Sequence, residues 1–284
     1  MRECTLAYEK NLVSVVIPTY NRQKTLEASI RSVTSQTYDD IEVLVVDDGS
    51  SDGSHELVQQ MQRNDSRIRY MKNTMGKGVA GARNTGIRAS RGEFIAFNDS
   101  DDYFRSDKIC KQLSKIQTAD FCYGRFKKIV DEKSYMIFPP YNTNDLNGDI
   151  YKRLLKNNMV GCPTLMVRHD FLDQIGGFDP EFPALEDYDL ALRLAKRGTA
   201  VFIEDIILDS DNSAGGISSN VGNDMAANLM LLQKYLPDII EAGLLNYKVM
   251  HTLSYANTLG VQDKVTGIIK HILEQYEMKA SGSI

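Results

Sequence analysis

The sequence predicts an α/β protein, in which a mostly parallel, doubly wound sheet is flanked by helices and followed by a C-terminal helical segment. Short apolar runs rich in β-branched residues alternate with helix-patterned segments over roughly the first hundred residues. Three of these runs, at 12–18, 41–46 and 94–98, are followed at once by polar side chains. Because parallel strands end at the same edge of a sheet, we expect these side chains to share one ligand cleft.

The first part of the chain is predicted to hold four strands and three helices, after a loose polar lead-in at 1–11. Thr25 is placed to cap the first helix. Each strand–helix–strand crossover is expected to be right-handed, which gives an open sheet covered on both faces. The predicted strands are at 12–18, 41–46, 67–71 and 94–98, and the predicted helices are at 25–36, 54–63 and 81–89.

The periodicity is weaker in the second part of the chain, and the predictions there are coarser. Helices are predicted at 106–118, 149–157 and 185–196, strands at 120–130, 165–167 and 201–207, and loops at 131–149 and 209–224. From residue 225 onward the pattern is helical, with a break at Pro237. We therefore predict a main domain at 1–224 and a helical extension at 225–284.

The composition excludes several classes of protein. With 33 Lys and Arg against 38 acids, the net charge of −5 gives no support for nucleic-acid binding. The sequence shows neither an apolar stretch of the roughly eighteen residues that span a bilayer nor a signal-peptide pattern. We expect a cytoplasmic protein, either free or peripheral at the inner face of the plasma membrane. The four cysteines are far apart and contain no CxxC pair, so neither a zinc site nor a disulfide frame is expected.

The segment 93–102 begins with a buried-strand pattern and ends in three carboxylates, those of Asp99, Asp101 and Asp102. Such acids repel one another unless a cation or a hydrogen-bond network compensates them. A hard divalent ion takes oxygen ligands and commonly joins protein carboxylates to substrate phosphates. Taken alone, the same pattern is more often a solvated acidic turn, so the neighbouring motifs decide the interpretation.

Asp47 and Asp48 end the second predicted strand and begin a turn. Asp and Gly are typical turn residues, and Asp52 or Ser54 can cap the helix that follows. This explains residues 50–54, but it does not explain two acids directly at the end of a strand. A carboxylate in that place can accept a hydrogen bond from the N–H of a pyrimidine ring.

The glycine-rich stretch at 76–81 matches the dinucleotide fingerprint GxGxxG, and Asp99 follows at the distance of a ribose-binding acid. That fingerprint belongs after the first strand of its fold, whereas two strand–helix units precede this stretch. Asp99 also belongs to the acidic cluster. We therefore interpret the glycines as a flexible loop before a helix whose N-terminus, together with Arg83, favours phosphate oxygens.

Glu186 and Asp187 stand where a helix is predicted to begin, and acids are common in a first helical turn. A carboxylate at the edge of the cleft could instead act as a general base toward an acceptor hydroxyl. Ser100 has no sequence pattern that would complete a hydrolase triad. His55 and His169 lack the spacing of metal ligands, and we interpret both as structural or surface residues.

Seven motifs occur in order along the chain. They are Val-Val-Ile-Pro-Thr-Tyr-Asn-Arg at 15–22, Ser-Gln-Thr-Tyr at 35–38, Val-Val-Asp-Asp-Gly-Ser-Ser-Asp-Gly-Ser at 45–54, Ala-Arg-Asn-Thr-Gly at 82–86, Phe-Asn-Asp-Ser-Asp-Asp at 97–102, Gly-Gly-Phe-Asp at 176–179 and Leu-Glu-Asp-Tyr-Asp-Leu at 185–190. This ordered set closely resembles the family 2 inverting glycosyltransferases of GT-A fold, over roughly residues 12–220.

The resemblance implies a role for each matching residue. Thr19, Tyr20 and Asp48 would hold the uridine of a UDP-sugar, and Asp187 would be the catalytic base. The DxD acids would face the ribose and a Mn²⁺ or Mg²⁺ ion on the diphosphate. The full set of implied donor-binding residues is Pro18, Thr19, Tyr20, Arg22, Asp48, Arg83, Asp99, Ser100 and Asp101, of which Asp99 and Asp101 are also the implied metal ligands.

The implied activity is metal-dependent transfer of a sugar, with inversion, to a hydroxyl of a glycan or a lipid-linked glycan, in bacterial cell-surface polysaccharide or glycolipid synthesis. The chain has no Trp, so it lacks the Gln-x-x-Arg-Trp motif of the processive synthases. Many relatives carry a His before a Gly-Ile-Ser stretch as a further metal contact, whereas this chain has no His there. Asp211 is the residue that could substitute for it.

Two other functions stay open. A nucleotidyltransferase that makes a nucleotide sugar would need a Gly-rich, basic triphosphate loop after its first strand, and residues 17–20 are not such a loop. A non-catalytic sugar-nucleotide-binding module would not need a base such as Asp187. Residues 225–284 carry five Lys and five acids, so they have no polybasic attraction to anionic lipid. They are predicted to pack on the core or to form a homodimer, with a peripheral membrane contact as the alternative.

Overall fold

The structure is a computed structural model that describes residues 8–131, 134–141, 143–211 and 221–281. Within these residues nine strands form one sheet. They are β1 (Glu9–Thr19), β2 (Ile41–Asp47), β3 (Ile68–Lys72), β4 (Gly92–Phe97), β5 (Asp102–Phe104), β6 (Phe121–Ile129), β7 (Tyr135–Phe138), β8 (Met166–Arg168) and β9 (Ala200–Asp211). The helices are α1 (Gln23–Thr34), α2 (Ser54–Asn64), α3 (Val79–Ala89), α4 (Lys108–Ile116), α5 (Tyr151–Lys156), α6 (His169–Ile175), α7 (Glu186–Arg197), α8 (Val221–Lys234), α9 (Leu236–Glu241), α10 (Leu245–Thr258) and α11 (Gln262–Ala280), with a 3₁₀ turn at Cys162–Thr164.

The strand order is β3-β2-β1-β4-β8-β6-β9-β5, with β7 added to β6. The first half of the sheet is parallel, and it aligns Thr19 of β1 with Asp47 of β2. In the second half only β6 and β9 are parallel, while β8, β7 and β5 run antiparallel to their neighbours. The α/β class is therefore confirmed, with a sheet that is doubly wound in its first half and mixed beyond it.

Alternating side chains of the strands form a hydrophobic core on each face of the sheet. On one face, strand residues such as Val15 and Ile17 pack against α1, α2 and α4. On the other face, residues such as Val16 and Phe97 pack against α3, α7 and the C-terminal helices. Helix α3 packs so closely on β1 that only a glycine fits at position 86. A Cβ there would lie 2.3 Å from Val16 Cγ1.

Two predictions near the N-terminus need correction. Strand β1 already begins at Glu9, inside the predicted lead-in, because the Glu9 N–H donates to the carbonyl of Arg91 and so extends the pairing with β4. Residues 1–7 lie outside the described part. Helix α1 begins at Gln23, so Thr25 is not its cap, and the buried Thr25 hydroxyl has no partner among the described atoms.

The second half of the sheet also differs from the prediction. Strand β7 lies within the predicted loop 131–149, where it pairs with β6. Strand β9 continues into the predicted loop 209–224 as far as Asp211, because β6 and the unpredicted β5 pair with its two sides. Residues 212–220 of that loop lie outside the described part of the chain. Helix α6 was also not predicted.

The C-terminal helices cover α7 and extend one of the two cores. Leu231, Leu232 and Ile239 are buried there. The predicted boundary between residues 224 and 225 falls inside α8, and the predicted break at Pro237 is a new helix start, with Pro237 in the first turn of α9. The division into two domains stays a prediction. None of the described helices is both long enough and apolar enough to cross a membrane.

Candidate active site

One buried arginine joins two acidic motifs that lie far apart in the sequence. Arg83, on α3, places Nη2 2.8 Å from Asp99 Oδ1 and Nη1 2.6 Å from Glu186 Oε1. Its guanidinium also lies over the ring of Phe178, 5.1 Å from the ring centroid. Burial opposes its charge, but neighbouring negative charges, including those of Asp99 and Glu186, raise the Arg83 pKa well above its ordinary value. The end of β4 and the start of α7 therefore meet at one guanidinium.

Asp187 lies at the start of α7, next to the carboxylate that Arg83 binds. The residue before this helix, Leu185, has a left-handed backbone with φ of 57°, a strained conformation that often occurs at functional sites. The Asp187 carboxylate accepts the N–H of Tyr188 at 2.8 Å. Burial and the charge of Glu186 raise its pKa to about 7, although Arg83 opposes the shift. Asp187 can therefore gain or lose a proton near neutral pH, as a general base must.

Asp101 and Asp102 follow Asp99 but have different surroundings. Asp101 is half-buried, with Oδ2 3.6 Å from Arg22 Nη2. Burial and the charge of Asp99 raise its pKa, and the charge of Asp211 adds to this shift. Asp102 is buried in β5, where burial and the charge of Asp99 raise its pKa well above its ordinary value. Asp101 is thus the acid of this pair that is open to a ligand.

The described carboxylates fit a divalent cation that is shared with a substrate. No three His, Cys, Asp or Glu side chains in the described ranges converge closely enough to hold a metal by themselves. Burial and the charge of Asp99 raise the pKa of Asp101, so a bound cation would stabilise the charged form of this carboxyl. Mg²⁺ is often bound by only one or two carboxylates together with substrate phosphates. An ion held by Asp99, Asp101 and a diphosphate would match this oxygen-only set.

The two acids at the end of β2 have separate tasks. Asp47 is buried and accepts hydrogen bonds from Ser50 and from the Tyr70 hydroxyl at 2.8 Å. Burial alone would raise its pKa, but these hydrogen bonds lower it, so Asp47 is a structural carboxylate that shapes the turn. Asp48 accepts from Asn73 Nδ2 at 2.6 Å and from the N–H of Gly78 at 2.9 Å. It thereby ties the glycine-rich loop to the cleft, and each of its oxygens keeps a second lone pair.

The remaining predicted donor residues lie at the end of β1 or beside the acidic cluster. The Thr19 hydroxyl is buried and has no partner among the described atoms. Buried polar groups are usually hydrogen-bonded, so this hydroxyl is available to bind a ligand. The Tyr20 ring is 42% exposed, so it can stack on a planar ligand. Pro18 is buried inside β1, and Ser100 is buried between the two acids of the DxD motif. Their predicted contacts with a donor stay predictions.

The family of the chain follows from comparison with known sequences. The sequence model described as "Glycosyl transferase family 2" matches residues 14–176, more than half of the chain. The chain belongs to this family. It is therefore an enzyme, an inverting glycosyltransferase, and the predicted resemblance is confirmed.

Two curated relatives from Escherichia coli have the same printed activity. One is UDP-Glc:alpha-D-GlcNAc-diphosphoundecaprenol beta-1,3-glucosyltransferase WfgD, 34% identical over 263 residues that cover 87% of this chain and 97% of WfgD. The other, WfaP, carries the same activity name and is 34% identical over 190 residues, which cover 66% of this chain and 71% of WfaP.

Solved structures confirm the GT-A fold. S. aureus TarS 1–349 in complex with UDP-GlcNAc superposes with a TM-score of 0.72 at 20% identity, covering 94% of this chain and 81% of that one. The mannosyltransferase PcManGT from Pyrobaculum calidifontis, in complex with GDP-Man and Mn²⁺, gives 0.61 at 17% identity over 97% and 87% of the two chains.

Sequence reasoning missed the partners that hold this glycosyltransferase's site together. Glu186 was visible beside Asp187, but its ion pair with Arg83 spans 103 residues and has no local signal. Asn73, which binds Asp48, lies in a loop with no motif of its own. Asn73 precedes the glycine-rich stretch at 76–81, and because Asn is a common turn residue its position indicated only a turn, not a contact with Asp48.

Proposed function

We propose that this glycosyltransferase moves a sugar from a UDP-sugar to an acceptor hydroxyl, with a divalent cation at Asp99 and Asp101 and with Asp187 as the base. The observation that carries the proposal is the Arg83 bridge, which brings Asp99 and Glu186 to one guanidinium. A donor whose diphosphate lies at the DxD acids would then present its sugar toward Asp187. Such positioning supplies much of the rate of a reaction between two bound substrates.

The residues of the chain account for the steps of transfer. Asp187 accepts the proton of the acceptor hydroxyl as its oxygen attacks the anomeric carbon. The new C–O bond forms on the face opposite the diphosphate, so the configuration inverts and the electron pair of the broken bond leaves with UDP. Arg83 binds the Asp99 and Glu186 carboxylates and so holds them in place. A bound Mg²⁺ or Mn²⁺ would neutralise charge on the departing diphosphate.

The relatives support the substrate class. WfgD and WfaP are named for glucose transfer from UDP-Glc to a GlcNAc on diphosphoundecaprenol. By analogy we propose a UDP-hexose donor for this chain, with UDP-Glc as the first candidate, and a lipid-linked glycan as acceptor. The reaction would belong to bacterial cell-surface polysaccharide synthesis at the inner face of the plasma membrane. A homodimer or a membrane contact through 225–284 stays a prediction.

The test is UDP release from a panel of UDP-sugars, with Mn²⁺ or with EDTA, for wild type and variants. EDTA and Asp101→Ala should abolish release from the preferred donor. Asp187→Asn should still bind UDP but lose about a hundredfold to ten-thousandfold in kcat, the usual contribution of a general base. Asp205→Asn is the matched control, because Asp205 is exposed and pairs only with Lys111 among the described ion pairs.

The outcomes separate the alternative functions. Turnover of a different nucleotide sugar would keep the transferase and remove the uridine assignment of Asp48. Binding of a donor without turnover under any condition would favour a binding module. Formation of a nucleotide sugar from a sugar phosphate and a nucleoside triphosphate would favour a nucleotidyltransferase. Failure to bind any nucleotide sugar in the presence of metal would refute the proposal.

A further inference from the structure

One lysine of the C-terminal helices binds two acids of the family motifs. Lys234, at the end of α8, places Nζ 2.7 Å from Asp189 Oδ1 and 2.9 Å from Asp179 Oδ2. Asp179 ends the Gly-Gly-Phe-Asp motif, and Asp189 belongs to the Leu-Glu-Asp-Tyr-Asp-Leu motif. Neither acid has a part in the proposed chemistry. The C-terminal helices are therefore tied directly to two conspicuous motifs of the glycosyltransferase domain.

Asp189 is the centre of this attachment. It has no exposed surface and lies in the first turn of α7, two residues after Asp187. Arg193 Nε donates to its Oδ2 at 2.8 Å, and the Tyr235 hydroxyl donates to its Oδ1 at 2.8 Å. A buried carboxylate is tolerated only when such partners compensate it, and loss of one partner leaves charge uncompensated. Two of these partners, Lys234 and Tyr235, come from the C-terminal helices.

Asp179 extends the attachment to the surroundings of Arg83. The residue before it, Phe178, exchanges two backbone hydrogen bonds of 2.8 Å with the Asn84 side chain, and its ring lies against Arg83. Lys234 thus fixes the first turn of α7 relative to the loop that packs on Arg83. Asp187 lies in that first turn, so a change there would move it relative to the cleft.

We infer that Lys234 is a positioning residue for Asp187, and that the C-terminal helices are part of the transfer machinery. The inference rests on the proposed role of Asp187 as base. Lys234 contacts no reacting group, so it acts by holding the first turn of α7 in place. A second ion pair between α7 and the C-terminal helices, Lys196 Nζ to Asp238 Oδ1 at 2.7 Å, lies in the last turn of α7. It is the matched control, because it makes the same kind of contact far from Asp187.

The experiment compares Lys234→Met, Lys234→Arg and Lys196→Met by steady-state kinetics. In Lys234→Met, kcat should fall about tenfold to a hundredfold, the cost of a small misplacement of a reacting group. The KM for the UDP-sugar should stay within about twofold, because the donor residues lie on other elements. Lys234→Arg should restore most of kcat, since it keeps the charge. Lys196→Met should leave kcat within about twofold of wild type.

Amide hydrogen exchange supplies a readout that does not need turnover. Lys234→Met should speed exchange in the first turn of α7, and Lys196→Met only in its last turn. If Lys234→Met does not fold, Asp179→Asn keeps the buried Asp189 cluster and should still lower kcat. Wild-type kcat in both Lys234→Met and Asp179→Asn, or an equal loss of kcat in Lys196→Met, would overturn the inference. Absence of any transfer by the wild type would instead refute the proposed function, and the exchange data would still decide whether Lys234 holds the first turn.

Discussion

Two buried cations, Arg83 and Lys108, lie on opposite faces of the sheet, and their surroundings differ in kind. Arg83, on the α3 face, is bound by two carboxylates. Lys108, at the start of α4 on the other face, makes no ion pair among the described residues. Its Nζ donates to Gln112 Oε1 at 2.6 Å and lies 4.0 Å from the centroid of the Phe104 ring. Burial lowers the pKa of Lys108 to about 7, whereas charged neighbours raise that of Arg83.

This difference in partners indicates that the candidate active site depends on the charge of Arg83 and not on that of Lys108. A buried cation between two acids is costly to remove, because removal leaves two carboxylates without a partner. A buried amine that has no carboxylate partner is more stable in its neutral form, so burial lowers its pKa. Arg83 therefore holds an ionised network between β4 and α7, while Lys108 is a neutral or half-protonated part of the core near neutral pH.

Removal of Arg83 should have the largest effect. In Arg83→Met, Asp99 and Glu186 lose their shared partner, so the free energy of unfolding should fall by about 3–5 kcal/mol. Turnover should fall at least as far as in Asp187→Asn, because both ends of the cleft lose their alignment. Urea unfolding and UDP release measure the two effects.

An exposed arginine provides the control for Arg83. Arg31 pairs with Glu27 at 2.8 Å on the surface of α1. Because water screens this pair, Arg31→Met should change stability by less than about 1 kcal/mol. Equal losses of stability in the two variants would show that the Arg83 bridge is no stronger than a surface ion pair.

Removal of one partner of Arg83 should change the pH dependence of transfer. Transfer needs ionised Asp187, so wild-type kcat should fall as the pH drops below about 7. Glu186→Gln removes the negative charge that raises the Asp187 pKa and leaves Arg83 free to lower it. The acidic limb of the kcat profile should therefore move to lower pH by about one unit. The measurement is UDP release at saturating donor and acceptor from pH 5 to pH 9.

Glu181→Gln is the control for this profile, because Glu181 is exposed and lies outside the Arg83 bridge. The acidic limb of the kcat profile of Glu181→Gln should coincide with that of the wild type. An acidic limb that stays in place in Glu186→Gln would mean that a group other than Asp187 titrates in the reaction.

The parallel half of the sheet could be predicted because its signals are local. Strands β1, β2 and β4 each contain an apolar run, and Asp47, Asp48 and Asp99 lie at or just after the ends of β2 and β4 in the sequence itself. Strands β5 and β7 are short and form through partners elsewhere in the chain, such as Ser210 opposite Asp102. No periodicity within three or four residues carries that information.

The same limit applies to the candidate site. Asp99, Asp101 and Asp187 could be singled out because each belongs to a motif. The resemblance assigns the donor contact to Asp48, but the structural role of Asp47 has no local signal, since it depends on contacts with Ser50 and Tyr70. Lys234 gave no signal at all, because a lysine near the end of a helix is common and its acids lie 45 or more residues away.

The smallest effect concerns Lys108 and appears as pH-dependent stability. Its pKa is about 7 in the folded chain against an ordinary 10.5, so the unfolded chain binds more protons between these values. The wild type should therefore lose stability as the pH falls from 10 toward 7, by up to about 1.4 kcal/mol per pH unit from this group. Lys108→Met removes that slope, so its stability relative to wild type should rise by about 3 kcal/mol as the pH falls from 9 to 6.

Urea unfolding of both proteins at several pH values measures the Lys108 contribution, and the exposed Lys115 on the same helix provides the control. Lys115→Met should differ from wild type by an amount that does not change with pH, because Lys115 is exposed to solvent in the folded chain as it is in the unfolded one. The absolute stability of Lys108→Met also includes the lost hydrogen bond to Gln112, so only its change with pH tests the argument. A difference that does not vary between pH 6 and pH 9 would mean that Lys108 stays charged in the core. The contrast with Arg83 would then fail, since an unpaired buried cation would have kept its proton.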